Sequence, residues 1–142
     1  MPSSPRPVTA TSATLGFFQC AVPAGFPSPA ADHTQKRIDL NEHLLLNKDA
    51  TFLFRVTGES MRNIDIFDGD TILVDRSLTP RHGHIVLAIV DEEFTVKRLH
   101  QRDGVVRLLA ENPAYASLEF KDGQELRVWG VVTCGLRKLL NA

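Results

Sequence analysis

From Thr51 to Thr133 the sequence is a succession of short runs of β-branched and aromatic residues, each closed by a turn signal. That pattern narrows the choice of fold more than any other feature of the chain. Phe52-Leu53-Phe54-Arg55-Val56 suits a pleated surface, and Thr71-Ile72-Leu73-Val74 follows an Asp68-Gly69-Asp70 turn. Ile85 to Val90 and Phe94 to Leu99 flank Asp91-Glu92-Glu93, which predicts a hairpin. Val105 to Ala110 and Leu126 to Thr133 complete the set, with Asn112-Pro113 and Asp122-Gly123 as punctuation. Short strands, frequent turns and little helical periodicity predict a mainly β, barrel-like domain.

The N-terminal segment reads differently. Residues 1–31 carry one charged side chain, Arg6, and six of the eight prolines, among many Ser, Thr and Ala. They show neither a helical nor an alternating period, so an extended arm is expected, ending between Asp32 and Lys36. The division that follows is an arm over 1–36 and a β-rich domain over 37–142. A short helix is expected at the junction. Asp39 and Glu42 have capping-box spacing, and Leu40, Leu44 and Leu45 would form its buried stripe.

The 142 residues suffice for one sizeable core. Sixteen basic residues against seventeen acidic ones leave a net charge of −1, and no Lys/Arg run exceeds two residues. Direct nucleic-acid binding, which needs a basic face to neutralise phosphates, is therefore not expected. Cys20 and Cys134 lie far apart, with no CxxC spacing. Reduced thiols in a cytoplasmic protein are the simpler expectation than a disulfide framework or a zinc site. No apolar run reaches the length of a transmembrane helix.

Two local features invite chemistry: Gly58-Glu59-Ser60-Met61 after the first strand of the domain, and Phe94-Thr95-Val96-Lys97-Arg98-Leu99 within a later one. Each has an ordinary explanation in isolation. A serine after a turn commonly bonds nearby backbone, and a strand lysine commonly faces solvent or an edge. Alternation puts Lys97 on one face with Thr95 and Leu99, opposite Phe94, Val96 and Arg98, and leaves open which face is buried.

Together with the arm, these pieces form an ordered set. Gly25-Phe26-Pro27-Ser28-Pro29-Ala30-Ala31-Asp32, Gly58-Glu59-Ser60-Met61, Asp68-Gly69-Asp70, His82-Gly83-His84-Ile85-Val86 and Phe94-Thr95-Val96-Lys97 follow one another as in the LexA/UmuD family of self-cleaving serine peptidases. The chain resembles that family over most of its length from Gly25 onward, and within it the UmuD branch, accessory subunits of the error-prone DNA polymerase V. Ala24 departs from the cysteine common in that branch and looks like the repressor branch instead.

The resemblance implies a β-rich peptidase domain with Ser60 as nucleophile, Lys97 as general base and Ala24-Gly25 as the bond cut. It implies no cofactor. It also implies a homodimer, a trigger in the RecA–single-stranded-DNA filament, and a shortened form, residues 25–142, that joins a UmuC-like polymerase subunit in translesion synthesis. The chemistry suits these residue types. A serine hydroxyl needs a base beside it, and a lysine serves only if burial populates its neutral amine. Backbone N–H groups near Ser60 are the natural oxyanion donors. Glu59 is expected at the surface, Met61 in packing, and Asp68 to Asp70 in a turn. Ala24 and Gly25 put little bulk across the scissile bond, while Pro23 and Pro27 favour extended backbone.

Three rival readings have less support. Val22-Pro23-Ala24 fits a signal-peptidase preference for small residues, so a secreted protein with a processed leader is one alternative. Val8 to Thr14, however, has four hydroxyl residues in seven and supplies no apolar middle. A DNA-binding repressor needs a helix-turn-helix, for which the 24 proline-rich residues before Gly25 leave no room. A non-catalytic β-rich interaction module would tolerate replacement of Ser60 or Lys97. His33, His43, His82, His84 and His100 show no metal-ligand spacing.

Overall fold

The computed structural model describes residues 13–18, 21–27, 35–120 and 126–140. Cys20, Ser28 to Asp32, His33 and the Asp122-Gly123 signal lie outside the described residues. The chain divides into two compact units between Leu46 and Asn47.

In the first unit β1 (Thr14–Phe18) pairs antiparallel with β2 (Gln35–Asp39), from Thr14 opposite Asp39 to Phe18 opposite Gln35. The Arg37 guanidinium donates to Thr14 O at 2.8 Å and to Thr14 Oγ1 at 3.2 Å. Part of the arm read from composition as extended is thus a paired strand. Every β1 residue is exposed, so no buried face imposes an alternating pattern on the sequence. Helix α1 (Leu40–Leu44) follows, with Asp39 as its N-cap accepting from Asn41 N at 2.9 Å. The expected leucine stripe is corrected: no residue of α1 is buried, and Leu40 is 45% exposed.

The second unit is one seven-stranded sheet. Its strands are β3 (Thr51–Arg55), β4 (Thr71–Asp75), β5 (Ile85–Val90), β6 (Glu93–Arg102), β7 (Val105–Leu109), β8 (Leu118–Phe120) and β9 (Arg127–Leu136). They lie in the order β3-β4-β9-β5-β6-β7-β8, every neighbouring pair antiparallel. The mainly β class expected from the sequence is what the structure shows.

The sheet is buried on both sides. Ile72, Val74 and Leu87 join Val56, Met61 and Ile66 in one apolar cluster, while Val86, Ala88, Leu99, Leu108 and Val131 form another. Consecutive residues of β5 thus enter different cores, which is why Ile85 to Val90 is a continuous apolar run and not an alternating one. Strand β9 has one residue more than β4 near Thr133 and one more than β5 near Trp129. Such bulges bend a strand and tighten its twist. Gly130 lies close against β4; a Cβ there would meet Val74 Cγ1 at 2.6 Å and Asp75 O at 3.1 Å.

Strand β6 is held at both ends by two-residue turns in which both φ angles are positive, Asp91-Glu92 (48° and 65°) and Asp103-Gly104 (54° and 74°). That backbone matches the twist of the strands it joins, so these turns set the register of β6 against β5 and β7. Lys97 consequently lies opposite fully buried Val86.

Candidate active site

The segment after β3 leaves the sheet and carries Ser60. Val56 remains bonded to the loop below it, its N–H to Asp70 O and its O from Gly69 N, both 2.8 Å. Gly58 adopts φ +88°, a conformation that costs a side chain strain, and its N–H is held by Asp68 Oδ1 at 2.7 Å. Ser60 and Met61 turn into a single 3-10 turn, Arg62–Ile64, closed by Asp65 in the left-handed region. Met61 is 2% exposed and plugs the first core, so the turn is anchored by packing directly beside Ser60.

Lys97 approaches from β6. Its Nζ lies 3.0 Å from Ser60 Oγ, 2.9 Å from Thr95 Oγ1 and 3.2 Å from Val96 O. The face shared by Thr95, Lys97 and Leu99 is the more deeply buried one: Lys97 is 9% exposed and Leu99 2%, while Val96 on the other face packs partly buried against the first core. Among the described residues no carboxylate pairs with Lys97. Desolvation therefore lowers its pKa below the ordinary lysine value.

Ser60 and Lys97 share a cleft of about 290 Å³ whose walls include Phe54, Phe94, Thr95 and Tyr115. No hydrogen bond among the described residues engages the backbone N–H of Ser60 or Met61. Glu59, expected at the surface, is only partly so, with its Oε2 buried and unpartnered among the described residues. Ala24 and Gly25 belong to the first unit, where residues 21–27 are all exposed.

Sequence reasoning missed the loop that braces this turn. Asn112 Nδ2 donates to Glu59 O at 2.8 Å, and Asn63 N donates to Glu111 O at 2.8 Å. Asn112-Pro113 reads as a turn signal in one dimension, and only a contact across 53 residues shows its second role. Asp68 to Asp70 does form a turn, with Gly69 at φ +90°, and Asp70 is also buried and bound by Arg137. Among the described residues no group of three or more His, Cys, Asp or Glu is placed to hold a metal, and no helix is long and apolar enough to cross a membrane.

The family described as Peptidase S24-like matches residues 16–133. The chain belongs to the S24 peptidase, or LexA/UmuD, family. Within it, the chain is 43% identical over 125 residues to protein SamA of Salmonella typhimurium, covering 88% of this chain and 86% of SamA. It is 39% identical over 125 residues to protein MucA of Escherichia coli, covering 87% and 84% of the two chains. SamA and MucA are UmuD-like proteins of SOS mutagenesis. The LexA repressor of Dechloromonas aromatica is 45% identical over 95 residues, 67% of this chain and 47% of the repressor. Membership in the S24 family makes this chain, in general terms, a self-cleaving serine peptidase.

Proposed function

We propose that this chain cuts its own Ala24-Gly25 bond, with Ser60 as nucleophile and Lys97 as general base, as a step of the DNA-damage response. The observation that carries the reading is the 3.0 Å separation of Lys97 Nζ and Ser60 Oγ at a buried lysine that pairs with no carboxylate among the described residues. A lysine held as the neutral amine can accept the serine proton, which an ammonium cannot do.

The steps are those of acyl transfer. Ser60 Oγ attacks the carbonyl carbon of Ala24 while its proton passes to Lys97 Nζ. The carbonyl oxygen becomes an oxyanion, and the N–H groups of Ser60 and Met61, which no hydrogen bond among the described residues engages, are the backbone donors for it. Collapse breaks the C–N bond, and the Lys97 ammonium returns the proton to the Gly25 amine. Water then attacks the Ala24 ester, losing a proton to Lys97. Collapse breaks the bond to Ser60 Oγ, which takes that proton back from the Lys97 ammonium, and the arm leaves as a carboxylic acid that ionises to the carboxylate. The exposure of residues 21–27 and the absence of side-chain bulk at Gly25 support this bond as the substrate.

In this reading the arm is residues 1–36 and the peptidase domain 37–142. Contact with the RecA–single-stranded-DNA filament triggers the cut in the cytoplasm. Residues 25–142 then act as a homodimer with a UmuC-like polymerase subunit in translesion synthesis. Similarity to SamA and MucA supports this setting.

Intact-mass analysis after incubation with RecA filament, or at alkaline pH, tests the reading. Wild type should yield a species beginning at Gly25 that is absent from Ser60→Ala and Lys97→Ala. Retention of the arm by folded wild type, or its loss from either variant, would overturn it.

A further inference from the structure

The turn that carries Ser60 lies outside the sheet, so its position depends on what holds it from the side. Two hydrogen bonds from the segment after β7 straddle the nucleophile, Asn112 Nδ2 to Glu59 O ahead of it and Asn63 N to Glu111 O behind it. The Asn112 amide has one orientation. Its Oδ1 accepts from Ala114 N at 3.0 Å, which leaves Nδ2 to meet Glu59. The same segment is tied to β6 through Arg98, whose Nε bonds Glu111 Oε1 at 2.5 Å and whose Nη1 donates to Gly83 O at 2.6 Å.

We propose that Asn112 is a positioning residue for Ser60, gripping the peptide unit whose nitrogen belongs to the nucleophile. This rests on the assignment of Ser60 made above. A peptide unit is planar, so fixing the Glu59 oxygen fixes the direction of the Ser60 N–H on the same plane and the Cα from which Oγ projects. Without Asn112, Glu59 O keeps, among the described residues, only Arg62 N, at 3.2 Å, a bond inside the turn that cannot orient the turn as a whole. Base and nucleophile thereby take their places from one strand. Lys97 reaches Ser60 directly, and its neighbour Arg98 steadies the segment that holds the peptide before Ser60.

The test compares self-cleavage rates across pH for wild type, Ser60→Ala, Asn112→Ala and Asn112→Asp, with thermal melts alongside. Asn112→Asp keeps an oxygen for Ala114 N but presents an acceptor, not a donor, to Glu59 O. Displacement of a reacting group by about 1 Å costs on the order of a hundredfold in rate. Both variants should therefore lose roughly ten- to a hundredfold of the alkaline plateau rate while still melting cooperatively. In uncharged Asn112→Ala the pH midpoint should stay at the wild-type value, because the surroundings of Lys97 are intact. A wild-type plateau in a folded variant would overturn the proposal. So would a loss of fold in both variants, which marks a structural role, or a displaced midpoint with an unchanged plateau in Asn112→Ala, which places the effect on Lys97. If wild type itself fails to cleave, the assignment of Ser60 falls as well; if it cleaves and the variants match it, only the role of Asn112 falls.

Discussion

Thr95 stands two residues before Lys97 on β6, and its Oγ1 lies 2.9 Å from the Lys97 Nζ, closer than the hydroxyl of Ser60 at 3.0 Å. The contact gives the amine a second restraint besides Ser60. It also favours the ammonium, since a hydroxyl oxygen accepts from a charged donor more strongly than from a neutral one. Thr95→Val should therefore lower the Lys97 pKa further and move the pH midpoint of self-cleavage to lower pH. The freed amine should wander, with a several-fold loss of plateau rate. A midpoint moved to higher pH would contradict this account.

Burial of Lys97 carries a stability signature as well as a kinetic one. Its pKa is depressed from 10.5 by desolvation, so between the folded value and 10.5 the unfolded chain binds the extra proton and stability rises with pH. Below that window the folded protein carries the full cost of a buried ammonium. In a Ser60→Ala background, Lys97→Met should melt higher at neutral pH by on the order of a few degrees. The advantage should shrink as pH approaches 10.5. Melting curves over a pH series check both the sign and the window.

Asp70 works in the opposite direction. Arg137 grips both its carboxylate oxygens at 2.7 Å, and that hydrogen bonding holds the pKa at about 2. The stabilisation is complete above the ordinary value of 3.8 and is lost as pH falls through about 2. Because Arg137 is 43% exposed, solvent screening reduces the effect, and Asp70→Asn should cost about 1–2 kcal/mol at neutral pH. Denaturant unfolding should show that difference, and the two proteins should converge near pH 2.

Bulk at the proposed cut should separate folding from processing. A Cβ on Gly25 meets nothing within 4 Å, so Gly25→Leu should fold as wild type does. Self-cleavage should fall by at least about tenfold, because the added side chain displaces the scissile carbonyl from Ser60. Unchanged processing, read by intact mass, would place the cut elsewhere.

Much of the sheet is legible in one dimension because its strands are short and its turns chemically marked. The runs at Phe52, Thr71, Ile85, Phe94, Val105 and Leu126 all become strands, and the hairpin through Asp91 forms as expected. Where no face is buried, the pattern is silent. β1 is wholly exposed, and β8 is a three-residue edge strand with only Phe120 partly covered. The leucines of α1 misled for the complementary reason, since apolar spacing is no guarantee that anything packs against it. At the candidate site, Ser60 and Lys97 stand out by motif, but the more deeply buried face of β6 needed the neighbouring strands to define it. Asn112 left no trace of its reach to Glu59, since that bond depends on two turns meeting in space.

The register of β6 also bears on when this chain becomes able to act. Ser60 and Lys97 are 37 positions apart, and the grip of Asn112 on Glu59 spans 53. A nascent chain carries its N-terminal arm long before any of these groups can meet. The β5–β6–β7 meander must be synthesised and paired, and the segment after β7 must close back on the serine turn. Slow, non-local pairing is ordinarily a hazard of β topology. Here it acts as a delay, because a chain that carries both blade and target is safest when the blade is the last thing to take shape.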